Sequence, residues 1–190
     1  MKLLAPLSYL RIKHDEKKLY DYWFPLICAA LISIVYLCMA EPFSLLGKGG
    51  LVPQVNGLLQ VLIGFYIAAL AAIATFANPS IDEKMAGKAP VIKELYRGKE
   101  IEVPLIRRRF LCYLFGYLSL VSFIVFGFGL VASLFTKSIT SVMELIPYPK
   151  ALLVAKTVFL FSYSFILFNM ICTTLLGLYY LAVRIHQPND

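Results

Sequence analysis

Three groups of residues in this chain have the type and spacing to do chemistry. Asp82 and Glu83 precede Arg107, Arg108 and Arg109 in a polar stretch between two apolar runs. A guanidinium fork binds carboxylate or phosphate through paired hydrogen bonds. The set therefore predicts either anchoring of a helix end on lipid phosphate or docking of a partner. Ser162, Asn169, Thr173 and Tyr180 form the second group. At about 100° per residue they share a narrow arc of one helix. Such groups hydrogen-bond across helices in lipid, and the competing reading is a water-lined pore. His14, Asp15 and Glu16 form the third. One imidazole on a solvated tail lacks the positioned substrate that general acid–base catalysis needs.

The remaining candidates are weaker. Gly47-Lys48-Gly49 lacks the spacing and the preceding strand of a phosphate loop. Cys28, Cys38, Cys112 and Cys172 lie in or beside apolar runs without C-x-x-C spacing, which points to core packing rather than a disulfide or zinc site. The only histidines, His14 and His186, sit in opposite tails. The expectation is a protein that is not an enzyme and holds no cofactor and no metal.

The elements that position these groups follow from hydropathy. Of 190 residues, 60% are hydrophobic and only 15% charged, with mean hydropathy +0.77. A soluble domain of this size has no use for so much apolar surface. A helix crosses the hydrocarbon core with about 20 apolar residues. Four stretches qualify, at 22–40, 57–76, 110–135 and 151–183. They are continuously apolar, not alternating as barrel strands are. The predicted fold class is an all-α integral membrane protein, a four-transmembrane-helix bundle in one domain. The short run Leu3 to Leu10 is broken by Pro6 and has no basic n-region, so no cleaved leader is expected.

Orientation follows from the basic residues. Fourteen of the eighteen lysines and arginines fall in the N-terminal tail (1–21), the loop at 77–109 and the C-terminal tail (184–190). Lys48, Lys137, Lys150 and Lys156 fall on the other side. Both termini and the 77–109 loop are therefore expected in the cytoplasm. Tyr20, Tyr22, Trp23, Tyr179 and Tyr180 suit headgroup level.

The N-terminal tail from Leu7 to Tyr20 reads as a helix whose Lys13, Lys17 and Lys18 meet anionic membrane lipids. The outer segment with Pro42, Gly47, Gly49, Gly50 and Pro53 reads as a turn-rich connector, as does the short one from Thr136 to Lys150. Neither has room for a receptor domain. In the inner loop, Asn78-Pro79 ends the second span, Ser80 and Glu83 fit a capping box, and Lys93 to Val103 reads as a hairpin about Arg97-Gly98. Its charges are mixed in sign, which argues for a protein partner and against direct nucleic-acid binding.

Within the spans, Gly64, Ala68 and Ala72 recur at intervals of four and predict close helix packing, within or between subunits. Asn169 and Thr173 predict polar contacts in the same role. No Asp or Glu falls in the expected spans. Coupled transport commonly relies on such groups, so a transporter ranks below a scaffold or a pore.

Asn78-Pro79-Ser80-Ile81-Asp82-Glu83-Lys84-Met85, Arg107-Arg108-Arg109-Phe110-Leu111 and Leu114-Phe115-Gly116-Tyr117-Leu118 resemble small four-span proteins of bacterial anti-phage loci, in particular the membrane subunits of Kiwa defence systems. The likeness implies a homo-oligomer in the inner membrane that binds a soluble, DNA-binding partner in the cytoplasm. Charge and position then single out Asp82, Glu83 and Arg107 to Arg109 as partner-facing. The leading expectation is a non-enzymatic sensor or scaffold; the alternative is a pore-forming effector that depolarises the membrane.

Overall fold

The computed structural model describes residues 2–14, 17–76, 79–83, 89–96, 99–144 and 149–184. Four helices are long and apolar enough to cross a membrane, at Leu19–Cys38, Leu51–Thr75, Arg107–Leu134 and Lys150–Ala182. The first opens with a π-turn, Leu19–Trp23, and continues as α1, Phe24–Cys38. The others are α2, Leu51–Thr75, α4, Arg107–Leu134, and α6, Pro149–Ala182. A short helix α3, Pro79–Asp82, follows α2, and α5, Thr136–Glu144, follows α4. Strands β1, Val91–Tyr96, and β2, Lys99–Pro104, form an antiparallel hairpin.

The helices associate as two pairs, α2 with α4 and α1 with α6, and α4 joins the pairs. The seam between α2 and α4 is legible in the pattern of burial. Val52, Leu59, Tyr66 and Ile73 recur every seven residues on α2. On α4, Leu111, Phe115, Leu118, Ser122, Val125, Gly129 and Ala132 alternate steps of four and three. This is the spacing by which side chains of one helix enter holes in another. Small residues set the closest approaches. A Cβ on Gly129 would collide with the Asn56 amide, and one on Gly177 would lie 2.9 Å from Leu114 Cδ2.

Several expected boundaries shift. The first span begins at Leu19, so it takes in Asp21, which hydropathy assigns to the tail. The second starts at Leu51 rather than 57, with Pro53 in its first turn, where a missing N–H costs nothing. The third begins at Arg107, so the three arginines form its first turn. The tail is not one helix from Leu7 to Tyr20. A 3₁₀ helix, Lys2–Arg11, lies against α4, with Pro6 Cβ 3.6 Å from the position of a Cβ on Gly116. The chain then extends, and Lys13 pairs with Val91 of β1. Backbone pairing with the hairpin prevails there over local helix propensity. The connector expected at Thr136 to Lys150 contains α5.

The hairpin extends the Lys93–Val103 pairing to Val91 and Pro104. Its Arg97-Gly98 turn lies outside the described residues, as do Asp15, Glu16, Asn78, Lys84, Met85 and His186. The Ser80 side chain of the expected capping box is likewise not described.

Candidate functional site

Asp82, Glu83, Arg107 and Arg108 come together at the hairpin end, where they bind one another. Arg108 is the keystone. Its Nε donates to Asp82 Oδ1 at 2.6 Å and one Nη to Asp82 Oδ2 at 2.9 Å. The other Nη donates to the carbonyls of Ile73, at 2.6 Å, and Phe76, at 3.0 Å. The last four carbonyls of a helix have no partner within it. Arg108 satisfies part of that need at the end of α2 while holding α3 through a bidentate pair. The hydrogen bonds and charge of Arg108 hold the Asp82 carboxyl below the ordinary carboxylate range. Arg107 is buried; its N–H donates to Glu83 O at 3.1 Å, and its guanidinium lies 3.9 Å from the Glu83 carboxylate. Arg109 donates to Tyr113 Oη at 3.3 Å and lies over that ring. The arginines thus tie α2, α3 and α4 into one unit.

The hairpin carries the exposed surface at this end. Leu105 N–H donates to Pro90 O at 2.9 Å. With the observed register, residues 92, 94 and 96 form hydrogen-bonded pairs with 103, 101 and 99. The intervening residues turn their N–H and C=O groups outward. On β1, Val91 uses these to exchange bonds of 2.9 and 3.2 Å with Lys13. On β2 the outward groups of Glu100 and Glu102 have no backbone partner among the described residues. Pro104 has no N–H and ends that edge. Ile92 and Leu105 are buried and root the hairpin in the core, whereas Lys99, Glu100, Ile101 and Glu102 are exposed. Lys13 pairs with Glu102 and Lys93 with Glu100, both at 3.0 Å. Lys13 holds the Glu102 carboxyl below its ordinary value, and Glu100 raises the Lys93 amine.

A second polar cluster is buried where the tail meets α1, α4 and α6. Asp21 is 1% exposed. Tyr9 Oη donates to its Oδ1 at 3.1 Å, and Lys17 Nζ lies 2.8 Å from its Oδ2 as an ion pair. Lys17 also sits over the Tyr9 ring at 4.4 Å, and that ring stacks on Tyr117. Pro25 cannot donate to the carbonyl four residues back. That carbonyl, Asp21 O, instead accepts from Asn169 Nδ2 at 2.8 Å, while Asn169 Oδ1 accepts from Tyr117 Oη at 2.7 Å. Asn169 is thereby satisfied within the subunit, and Thr173, one helical turn further along α6, is fully buried.

The four-residue stripe on α6 accordingly divides. Ser162 is exposed, Asn169 and Thr173 are buried, and Tyr180 packs against Phe110. On α2, Gly64 and Ala68 are exposed and Ala72 half-buried, and nothing lies within 4 Å of a Cβ built on Gly64. The α2 face that meets α4 is instead the one with Asn56 and Tyr66, and Tyr66 Oη reaches Thr174 Oγ1 on α6 at 2.6 Å.

Composition and hydropathy do not pick out Tyr9, Lys17 and Asp21 as a cluster. The signal available is Lys17 and Asp21 at the i, i+4 spacing of an ion pair, directly before an apolar run. His14 is half-buried, and no group of three or more His, Cys, Asp or Glu suited to a metal occurs among the described residues. All four cysteines are free. No family model, curated protein or solved structure matches the chain.

Proposed function

We propose that the chain is a non-enzymatic scaffold and sensor of the inner membrane, with both termini in the cytoplasm, that assembles as a homo-oligomer and recruits a cytoplasmic protein through its hairpin end. The observation that carries this is the outward edge of β2. It offers unpaired backbone groups at Glu100 and Glu102 on a hairpin rooted in the core by Ile92 and Leu105. An extended segment of another protein adds to such an edge through main-chain bonds. A second copy is a poor occupant. Antiparallel pairing of two β2 edges sets Glu100 and Glu102 against the same glutamates, and like charges opposite one another are unfavourable.

The docking surface therefore differs from the one to which charge alone points. Asp82 and Arg108 are engaged with each other, and Arg107 is buried. They support the docking surface without forming it. The likeness of the 78–85, 107–111 and 114–118 segments to Kiwa membrane subunits extends the proposal to anti-phage defence, with a DNA-binding protein as the recruited partner.

The test is co-purification from the native host after mild detergent extraction. Glu102→Pro removes an outward N–H from that edge without touching a bond between the two strands, and Glu100→Lys with Glu102→Lys reverses its charge. Both should lose a soluble protein that the wild type retains, at equal membrane abundance. An unchanged set of co-purifying proteins would remove the basis for the proposal. Preserved membrane potential on induced expression separates this reading from the pore-forming one.

A further inference from the structure

We infer that the end of the molecule opposite the hairpin holds a binding site for an anionic membrane lipid, whose acyl chain fills an apolar cavity and whose headgroup phosphate meets Lys156. The inference concerns a different end of the protein and does not depend on hairpin docking; it depends only on insertion of the four helices in a bilayer.

A cavity of about 560 Å³ lies between the C-terminal ends of α1 and α4 and the N-terminal part of α6, beneath α5. Small-molecule sites have volumes of about 300–1,000 Å³, mostly apolar walls and a few polar groups that fix orientation. This one fits that description. Tyr36, Leu45, Phe128, Ala132, Met143 and Phe159 supply the walls, and Lys156 is the one formal charge among the lining residues.

Three observations favour a lipid. The cavity opens beside helices whose outward residues, such as Leu31 and Val154, are exposed apolar side chains suited to hydrocarbon. An acyl chain therefore reaches it laterally without crossing water. Lys156 forms no ion pair among the described residues, and an ammonium one turn or two below a helix start snorkels toward phosphate. The side-chain hydrogen bonds between the two helix pairs, Tyr117 to Asn169 and Tyr66 to Thr174, also lie away from the cavity, so its walls stay apolar. The α1 and α6 pair meets the α2 and α4 pair at the hairpin end through Tyr117, Asn169, Phe110 and Tyr180, whereas at this end Phe128 and Phe159 touch at 6.2 Å between ring centroids.

The test uses the full chain reconstituted in vesicles of equal amounts of phosphatidylcholine and phosphatidylglycerol, with a photoactivatable diazirine on the acyl chain of one lipid at a time. Both headgroups offer Lys156 a phosphate, but the choline ammonium offsets that charge, so phosphatidylglycerol should label peptides containing Leu45 and Phe159 about fivefold more than phosphatidylcholine does, the ratio expected when one basic side chain meets a net-negative headgroup. Lys156→Gln should abolish that preference while tail labelling persists. Ala132→Phe, which fills the cavity, should abolish labelling by both. Lys156 is half-exposed and tolerates substitution, so its variant decides the matter even if the filled variant fails to fold. Equal labelling by the two lipids, labelling confined to outward residues such as Leu31 and Val154, or crosslinking of the cavity peptides to a second copy would each overturn the proposal.

Discussion

The two ends of this molecule are held together by different physics. At the hairpin end, polar bonds cross between elements far apart in sequence: Asn169 to Asp21, Lys13 to Val91, Arg108 to Ile73 and Asp82. Each fixes a direction as well as a distance. At the opposite end, one long bond of 3.4 Å from Asn56 Nδ2 to Phe126 O crosses between α2 and α4, the hydroxyls of Thr136 and Thr140 bond locally to carbonyls three and four residues back, and the space between α1, α4 and α6 is an apolar cavity. Directional bonds make one end a unit of fixed shape. Non-directional apolar contacts at the other tolerate exchange of one hydrocarbon neighbour for another.

The comparison breaks most readily at the buried ion pair. Asp21→Ala leaves the Lys17 ammonium, itself 9% exposed, without its counter-charge and removes the acceptor of Tyr9. Breaking one partner of a buried pair typically costs about 3–5 kcal/mol. Thermal unfolding in detergent should show a larger drop for this substitution than for any at Arg108, Gly129 or the hairpin. Lys17→Met combined with Asp21→Leu should recover much of the loss, since a matched apolar pair leaves no orphan charge. Equal losses in the single and double variants would show that the pair does not organise this end.

Arg108→Ala should rank next, because it frees the carbonyls of Ile73 and Phe76 and the Asp82 carboxylate together. Arg108→Lys should rescue little, as an ammonium cannot form the fork. The pH dependence has a definite sign. Asp82 has its pKa lowered from 3.8 by the Arg108 hydrogen bonds, so the contribution of the pair is complete above that value and is lost as pH falls through the lower folded value. An Arg108→Ala variant should therefore differ from wild type at neutral pH and move toward it in strong acid.

Gly129→Ala tests the other end. The added methyl meets the Asn56 amide, and overpacking of this kind costs about 1–3 kcal/mol. Asn56→Ala in the same chain should relieve the clash. If the apolar end adapts as its contacts imply, the single variant should fall at the low end of that range, below Arg108→Ala.

Much of this architecture can be read from residue patterns, and the exceptions have physical causes. Continuous apolar runs reveal the four long helices because lipid imposes length and hydropathy directly. The hairpin is legible because Glu100, Ile101, Glu102 and Val103 alternate. Asp21 escapes notice because a carboxylate beside an apolar run looks solvated until Tyr9 and Lys17 fold over it. The roles of Arg107 and Arg108 depend on carbonyls and carboxylates about 25 to 35 residues away, which a local charge count cannot pair. Gly64, Ala68 and Ala72 mark a smooth face, but spacing alone does not say which helix meets it, and α4 packs on the face bearing Tyr66 instead.

The smallest effect belongs to the hairpin ion pairs. Lys93–Glu100 and Lys13–Glu102 are exposed on both sides, and such pairs contribute little to stability. Glu100→Gln with Glu102→Gln should leave the unfolding midpoint within error of wild type. Glu102 has its pKa lowered by Lys13 and Lys93 has its raised by Glu100. The pairs therefore act across the whole range between the ordinary carboxylate and ammonium values, fading in acid as Glu102 protonates and in alkali as Lys93 loses its proton. If partner binding is lost in this variant while stability holds, the glutamates face a partner. If stability falls with binding, they belong to the framework of the hairpin end, and the contrast between a rigid frame and a separate docking edge fails at that point.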